Sequence, residues 1–125
     1  MEKSKIIDKL IPLYDILEDA AGSILIVIKS KGLGVGTRKS GEKIRNELIN
    51  IQKQSNRAIT LDFKDLNIVS SSFADELIGR LVAEFGFYTF NNAFKMINMN
   101  TRIQSIVQRS VAQRMIESFD NNRVK

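Results

Sequence analysis

The apolar positions along the chain switch between two spacings. The run Ile24-Leu25-Ile26-Val27-Ile28 is uninterrupted and rich in β-branched residues, which predicts a strand covered on both faces and therefore inside a sheet. Ahead of it, Ile6, Ile7, Leu10, Ile11, Tyr14 and Leu17 recur at helical spacing, broken by Pro12. Because proline opens helices but does not sit inside straight ones, the spacing predicts a short turn, then a helix from Pro12 to just before Gly22. Ile44, Leu48 and Ile51 mark one stripe of a helix over residues 40–54, and 57–63 reads as the next strand. Two adjacent rows, Phe73-Leu77-Leu81-Phe85 and Ala74-Ile78-Val82, predict a third helix, with Glu76 and Arg80 pairing at i,i+4 on its outer face. Residues 94–99 read as a strand. Asn100 or Thr101 then caps a last helix carrying Ile103, Val107, Val111 and Met115 on one side.

Strands alternating with helices predict an α/β fold, a small, mostly parallel sheet packed with α-helices. Residues 1–22 are expected as an N-terminal helical extension packed on a domain spanning 23–125. A length of 125 residues suits one such domain, with 43% hydrophobic and 26% charged residues giving an ordinary soluble composition.

Cysteine and histidine are both missing, and their absence changes the chemistry available. Without cysteine or histidine, the chain has no thiolate nucleophile, no Ser-His-Asp or Cys-His arrangement and no commonplace transition-metal ligand. A non-enzyme with no cofactor and no metal is expected. The longest apolar run falls far short of the roughly 20 residues that span a bilayer, and the N-terminal stretch is too interrupted for a secretion signal, so a cytoplasmic protein is expected. The net charge of +5 favours acidic partners, but lysines and arginines are spread through every segment, as on a solvated surface.

The stretch L61-D-F-K-D-L-N-I-V-S-S-S-F-A-D-E-L-I-G-R-L81 is the most specific in the chain. A strand leaves the core, Leu66 and Ile68 re-enter it, and three hydroxyls precede a helix. Such a serine caps a helix by accepting an orphan backbone N–H, and Ser72 with Asp75 has the spacing of a cap. Gly79 is expected on the outer side with Asp75 and Glu76, where another chain's backbone can approach or, equally, a neighbouring element of the same domain can pack.

Here the chain resembles the STAS family of anti-sigma-factor antagonists, whose hallmark is a strand, Asp-Ser-Ser-Gly-Leu-Gly and a helix. Leu61, Leu66, Ser71, Ser72, Gly79 and Arg80 fall on matching residue types, and Ile97-Asn98-Met99-Asn100-Thr101-Arg102-Ile103 is similar to the family's last strand, loop and helix. Ser70 stands in place of the family's aspartate and Phe73 in place of its first glycine. The wording Ser-Ser-Ser-Phe-Ala-Asp-Glu, with Thr37-Arg38 upstream, is more similar to the bacterial STAS-like group of the DUF4325 type. The resemblance implies partner switching: docking on a histidine-kinase-like ATPase or anti-sigma factor through Ser70, Ser71, Ser72, Phe73, Asp75, Glu76, Gly79 and Arg80, with Arg38 nearby. It also implies phosphorylation at Ser71, or alternatively Ser72.

Other constellations carry less. Gly36 and Gly41 have the interval of a phosphate-binding loop, but Glu42 stands where lysine belongs, so Gly32–Gly36 reads as a turn. Asp62, Asp65, Asp75 and Glu76 approach a carboxylate cluster without convergent partners. Arg102 and Arg109 share a face of the last helix but lack the aromatics and dense basic stripe of nucleic-acid readers. The rival to a docking module is a small basic nucleic-acid-associated protein, dimeric through its N-terminal helix.

Overall fold

The structure, a computed structural model, describes residues 14–18, 24–29 and 36–124. Four strands, β1 (Tyr14–Glu18), β2 (Ile24–Ile28), β3 (Ile59–Asp62) and β4 (Phe94–Ile97), form one sheet in sequence order. β2, β3 and β4 are parallel, and β1 runs antiparallel along β2. β2 lies between β1 and β3, the interior place its unbroken apolar run predicts. The register aligns Ile24 with Ile59 and Phe94, and Ile26 with Leu61 and Met96. These side chains, with Ile28, make up the sheet's share of the core.

Helix α1 (Arg38–Ser55) joins β2 to β3. It begins at Thr37, whose hydroxyl accepts the Ser40 N–H at 3.0 Å, and ends at Asn56, whose φ of 53° supplies the left-handed turn that stops a helix. Between β3 and β4 one helical rod contains α2 (Ser71–Ala74), a π-helical turn (Asp75–Gly79) and α3 (Arg80–Phe85). A short helix α4 (Phe87–Ala93) follows Gly86, and α5 (Thr101–Val124) closes the chain. The rod is central: from Phe73 to Val82 only Asp75 and Arg80 escape burial. Both expected rows of this helix enter the core, with Phe85 at its edge.

Several expectations are corrected, and one helix is added to those the apolar pattern predicts. The helix predicted from Pro12 to Gly22 is a strand over Tyr14–Glu18, the rest of that stretch lying outside the described residues. Five residues fit either period, and pairing with β2 decides the outcome because it occupies a row of backbone groups otherwise left on an edge. The supposed helical extension therefore adds a strand to the sheet. Helix α4 has no counterpart in the apolar pattern, since Phe90 alone of its side chains is buried. On α5, Ile103 and Val107 are buried but Met115 is 42% exposed. At 3.6 residues per turn, three steps of four carry Met115 about 120° round from Ile103, whereas Ser110 and Arg114 stay within about 20° of it. Finally, Glu76 is buried at 5% exposure and not on an outer face. The Gly32–Gly36 turn lies outside the described residues except for Gly36.

Candidate functional site

Glu76 and Asp75 sit side by side on the π turn, which packs between α1 and α5. Neighbouring residues on a helix point in different directions, and here one acid turns toward α1 and the other toward α5. Glu76 accepts from Arg45 Nη1 at 2.8 Å and Arg38 Nη1 at 2.8 Å, with Arg80 Nε at 3.4 Å from the next turn. Arg45 also donates to the Glu76 carbonyl. On the other side Arg114 of α5 grips Asp75 with a two-pronged fork, Nε to Oδ1 at 2.9 Å and Nη2 to Oδ2 at 2.7 Å. Arg38 Nη1 reaches Asp75 Oδ2 as well, at 3.1 Å, and so ties the two halves together.

Two glycines allow these approaches. A Cβ on Gly41 of α1 would lie 2.9 Å from the Phe73 carbonyl oxygen, and one on Gly79 would lie 2.5 Å from Asp75 Oδ1 and 3.2 Å from Arg114 Cγ. The bare backbone of Gly41 brings α1 close enough for Arg38 and Arg45, three residues before and four after it, to flank Glu76. Gly79 leaves room for the Arg114 fork.

The guanidinium groups set the ionisation of both acids. Arg114, with Arg38 beside it, holds the Asp75 carboxyl below the usual carboxylate range against the opposing effect of burial. For Glu76 burial is the largest single influence and pushes upward, but Arg45, Arg38 and Arg80 together outweigh it and the net shift is downward. Arg38 and Arg114 are raised in turn, mainly by their hydrogen bonds to Glu76 and Asp75 respectively. With both carboxyls ionised at neutral pH, four arginines surround two negative charges.

The candidate residues divide accordingly. Phe73 is 1% exposed, and Glu76 and Gly79 are also buried, so these three are corrected from partner-facing positions to parts of the interior joint. Gly79 accommodates α5 of its own domain. Asp75 is half-buried and engaged by Arg114. Ser71 and Arg80 are exposed, Ser70 and Ser72 half-buried, and Arg38 keeps half of its side chain in solvent. Ser70, not Ser72, is the cap, its Oγ accepting the Phe73 N–H at 2.9 Å. Asp62 stays apart from the other carboxylates, accepting from the Lys64 N–H and Asn98 Nδ2, each at 3.0 Å. Among the described residues no group of three acids, cysteines or histidines is placed to hold a metal ion, and no helix is long and apolar enough to cross a membrane.

Arg45 and Arg114 are not among the residues singled out from the sequence. Their signal was a charged residue on an apolar helix stripe, Arg45 beside Ile44 and Leu48, and Arg114 in line with Ile103 and Val107. Such a position demands a buried counter-charge.

A parallel three-stranded core with an antiparallel edge strand, helical crossovers, and a serine-capped helix entered from β3 defines an α/β domain of the STAS-like class. The chain belongs to the family described as STAS-like domain of unknown function (DUF4325), whose model matches residues 40–104. The matched stretch holds Arg45, Ser70–Ser72, Asp75, Glu76 and Arg80, while Arg38 and Arg114 lie outside it. No curated protein matches the chain.

Proposed function

We propose that the chain is a non-catalytic regulatory module that docks on a histidine-kinase-like ATPase or anti-sigma factor through the start of α2, with Ser71 as the residue that switches binding. One observation carries the reading: Ser71 stands exposed on the first turn of a rod whose later turns are locked in the core. A phosphate there brings close to two negative charges beside Arg38 and the open end of the helix, where it is tolerated electrostatically. It alters the outer surface without touching the joint beneath. The partner-facing set is then Ser70, Ser71, Ser72, Arg80 and the exposed part of Arg38. The family's name gives a STAS-like fold, and the docking role rests on this surface.

The test is to mix the chain with a candidate ATPase and ATP, then measure complex formation and intact mass. A complex, and a mass gain that disappears in Ser71→Ala with Ser72→Ala as the control, is the expected result. Ser71→Asp is expected to weaken the complex at least about tenfold, or about 1.4 kcal/mol, with little change in melting temperature. Equal binding by Ser71→Asp and the unmodified chain removes Ser71 from the role. DNA binding that falls steeply with salt and ignores Ser71 would instead favour the basic nucleic-acid reading, for which Arg102 and Arg109 supply exposed charge on α5.

A further inference from the structure

We infer that the cleft between the start of α2 and α5 is a receptor for a phosphate dianion, free or as the terminal group of a small phosphomonoester. Arg38, Arg109, Arg114, Ser71, Ser72 and Ser110 line it. The inference concerns the isolated chain and does not rest on the docking reading.

The decisive residue is Ser110. The residue is nine-tenths buried yet lines the open cleft; its hydroxyl makes no hydrogen bond among the described residues and is not among the buried polar atoms, so it opens into the cleft. A serine hydroxyl on a helix commonly bonds back to its own helix, as that of half-buried Ser55 does to the Ile51 carbonyl at 2.8 Å. Ser110 instead leaves a donor facing the cleft. Arg109, next to it, is exposed and makes no ion pair among the described residues, unlike Arg38 and Arg114. Across the cleft the Ser70 cap occupies the Phe73 N–H, and the Ala74 N–H bonds back to the Ser70 carbonyl. The N–H groups of Ser71 and Ser72 remain at the open end of the rod, beside two more hydroxyls.

Charge selects the sign of the ligand. Three guanidinium groups face two wall carboxylates, Asp75 and Glu117, leaving an excess positive charge. Shape and donor type select its class. A fork-shaped guanidinium, hydroxyls and backbone N–H groups converging from two helices offer more donors than one planar carboxylate accepts, and suit the tetrahedral oxygens of phosphate. Because Asp75 already holds the Arg114 fork, the free donors belong to Arg109 and the serines. Substituting those leaves the ion-pair joint intact.

The experiment is titration of the full chain with inorganic phosphate and, separately, glycerol phosphate, followed by amide chemical shifts at matched ionic strength in chloride. Saturable shifts are expected at Ser71, Ser72, Arg109 and Ser110, with affinity reduced about tenfold in Arg109→Gln, as for loss of one charge-assisted hydrogen-bonding group. Ser110→Ala is expected to weaken binding less, with the native spectrum otherwise retained. Binding of both ligands assigns the site to the phosphoryl group in general, and binding of inorganic phosphate alone assigns it to the free ion. Shifts that follow ionic strength without saturating, or equal affinity in the Arg109→Gln, Ser110→Ala double variant, overturn the inference.

Discussion

The first turn of the central rod and the π turn that follows it are a few residues apart and present opposite physics. Ser70–Ser72 is a capped helix end whose middle serine faces solvent. Asp75–Gly79 is packed on both sides, its acids are claimed by four arginines and its glycine is covered by α5. Read linearly, the two form one continuous surface. In three dimensions the surface ends where the π turn begins. Widening one turn beside a paired pair of acids lets adjacent side chains serve α1 and α5 at once, and π-helical turns often accompany such local demands. Burial and ion pairing make one part of the motif a joint, and exposure leaves the other available for recognition.

The sharpest way to break this contrast is to remove the more deeply buried acid. Glu76→Ala strands Arg45, whose side chain is 11% exposed, without its counter-charge, and loss of one partner of a buried pair costs about 3–5 kcal/mol. Urea denaturation measures it, and a change below about 1 kcal/mol would mean that the pair is solvated in practice. Acid gives the same comparison without a deletion. Both carboxyls titrate lower in the folded chain than in the unfolded one, so the unfolded state binds more protons as pH drops. Their stabilisation is complete above the ordinary carboxylate range and is lost as pH falls from about 4.5 toward the depressed folded values. The expected stability curve is steeper there for the native chain than for Glu76→Gln. Parallel curves would remove Glu76 as a source of the acid sensitivity.

Steric pressure on the joint comes next in size. In Gly41→Ala the added methyl meets a backbone carbonyl at 2.9 Å, which moves only if the rod moves, and overpacking of this kind costs about 1–3 kcal/mol. In Gly79→Ala the nearest atom is the Asp75 carboxylate oxygen, the end of a side chain. Its displacement is offset by the gain of about 1 kcal/mol in helix propensity on replacing glycine. Gly41→Ala is therefore expected to destabilise more than Gly79→Ala, as read from urea midpoints. The reverse order would place the tighter contact on the α5 side.

This division explains how far the sequence reaches. The core strands, α1 and the two buried rows of the rod were legible because each repeats one period long enough to choose between helix and strand. β1 was not, because five residues satisfy both periods and a neighbouring strand settles the choice. The serine-rich turn was legible as a helix start, but which hydroxyl caps it is a matter of local backbone path, and Ser70 takes the place expected of Ser72. The acids were legible as a pair and misplaced as a surface, since an i,i+4 partner at Arg80 satisfies Glu76 on paper. Arg38, Arg45 and Arg114 come from 31 or more residues away in sequence, and one chain without its fold carries no sign of that convergence.

The smallest expected effect separates two neighbouring hydroxyls. Ser70 Oγ accepts the Phe73 N–H, so Ser70→Ala leaves that donor without its cap and costs about 1 kcal/mol. Ser71 is exposed, and its hydroxyl makes no hydrogen bond among the described residues, so Ser71→Ala stays within about 0.5 kcal/mol of the native chain. Chemical denaturation of the two alanine variants side by side measures the difference. If Ser71→Ala were as destabilising as Ser70→Ala, its hydroxyl would belong to the fold, and the boundary between the anchored and open parts of the rod would shift one residue toward the N-terminus.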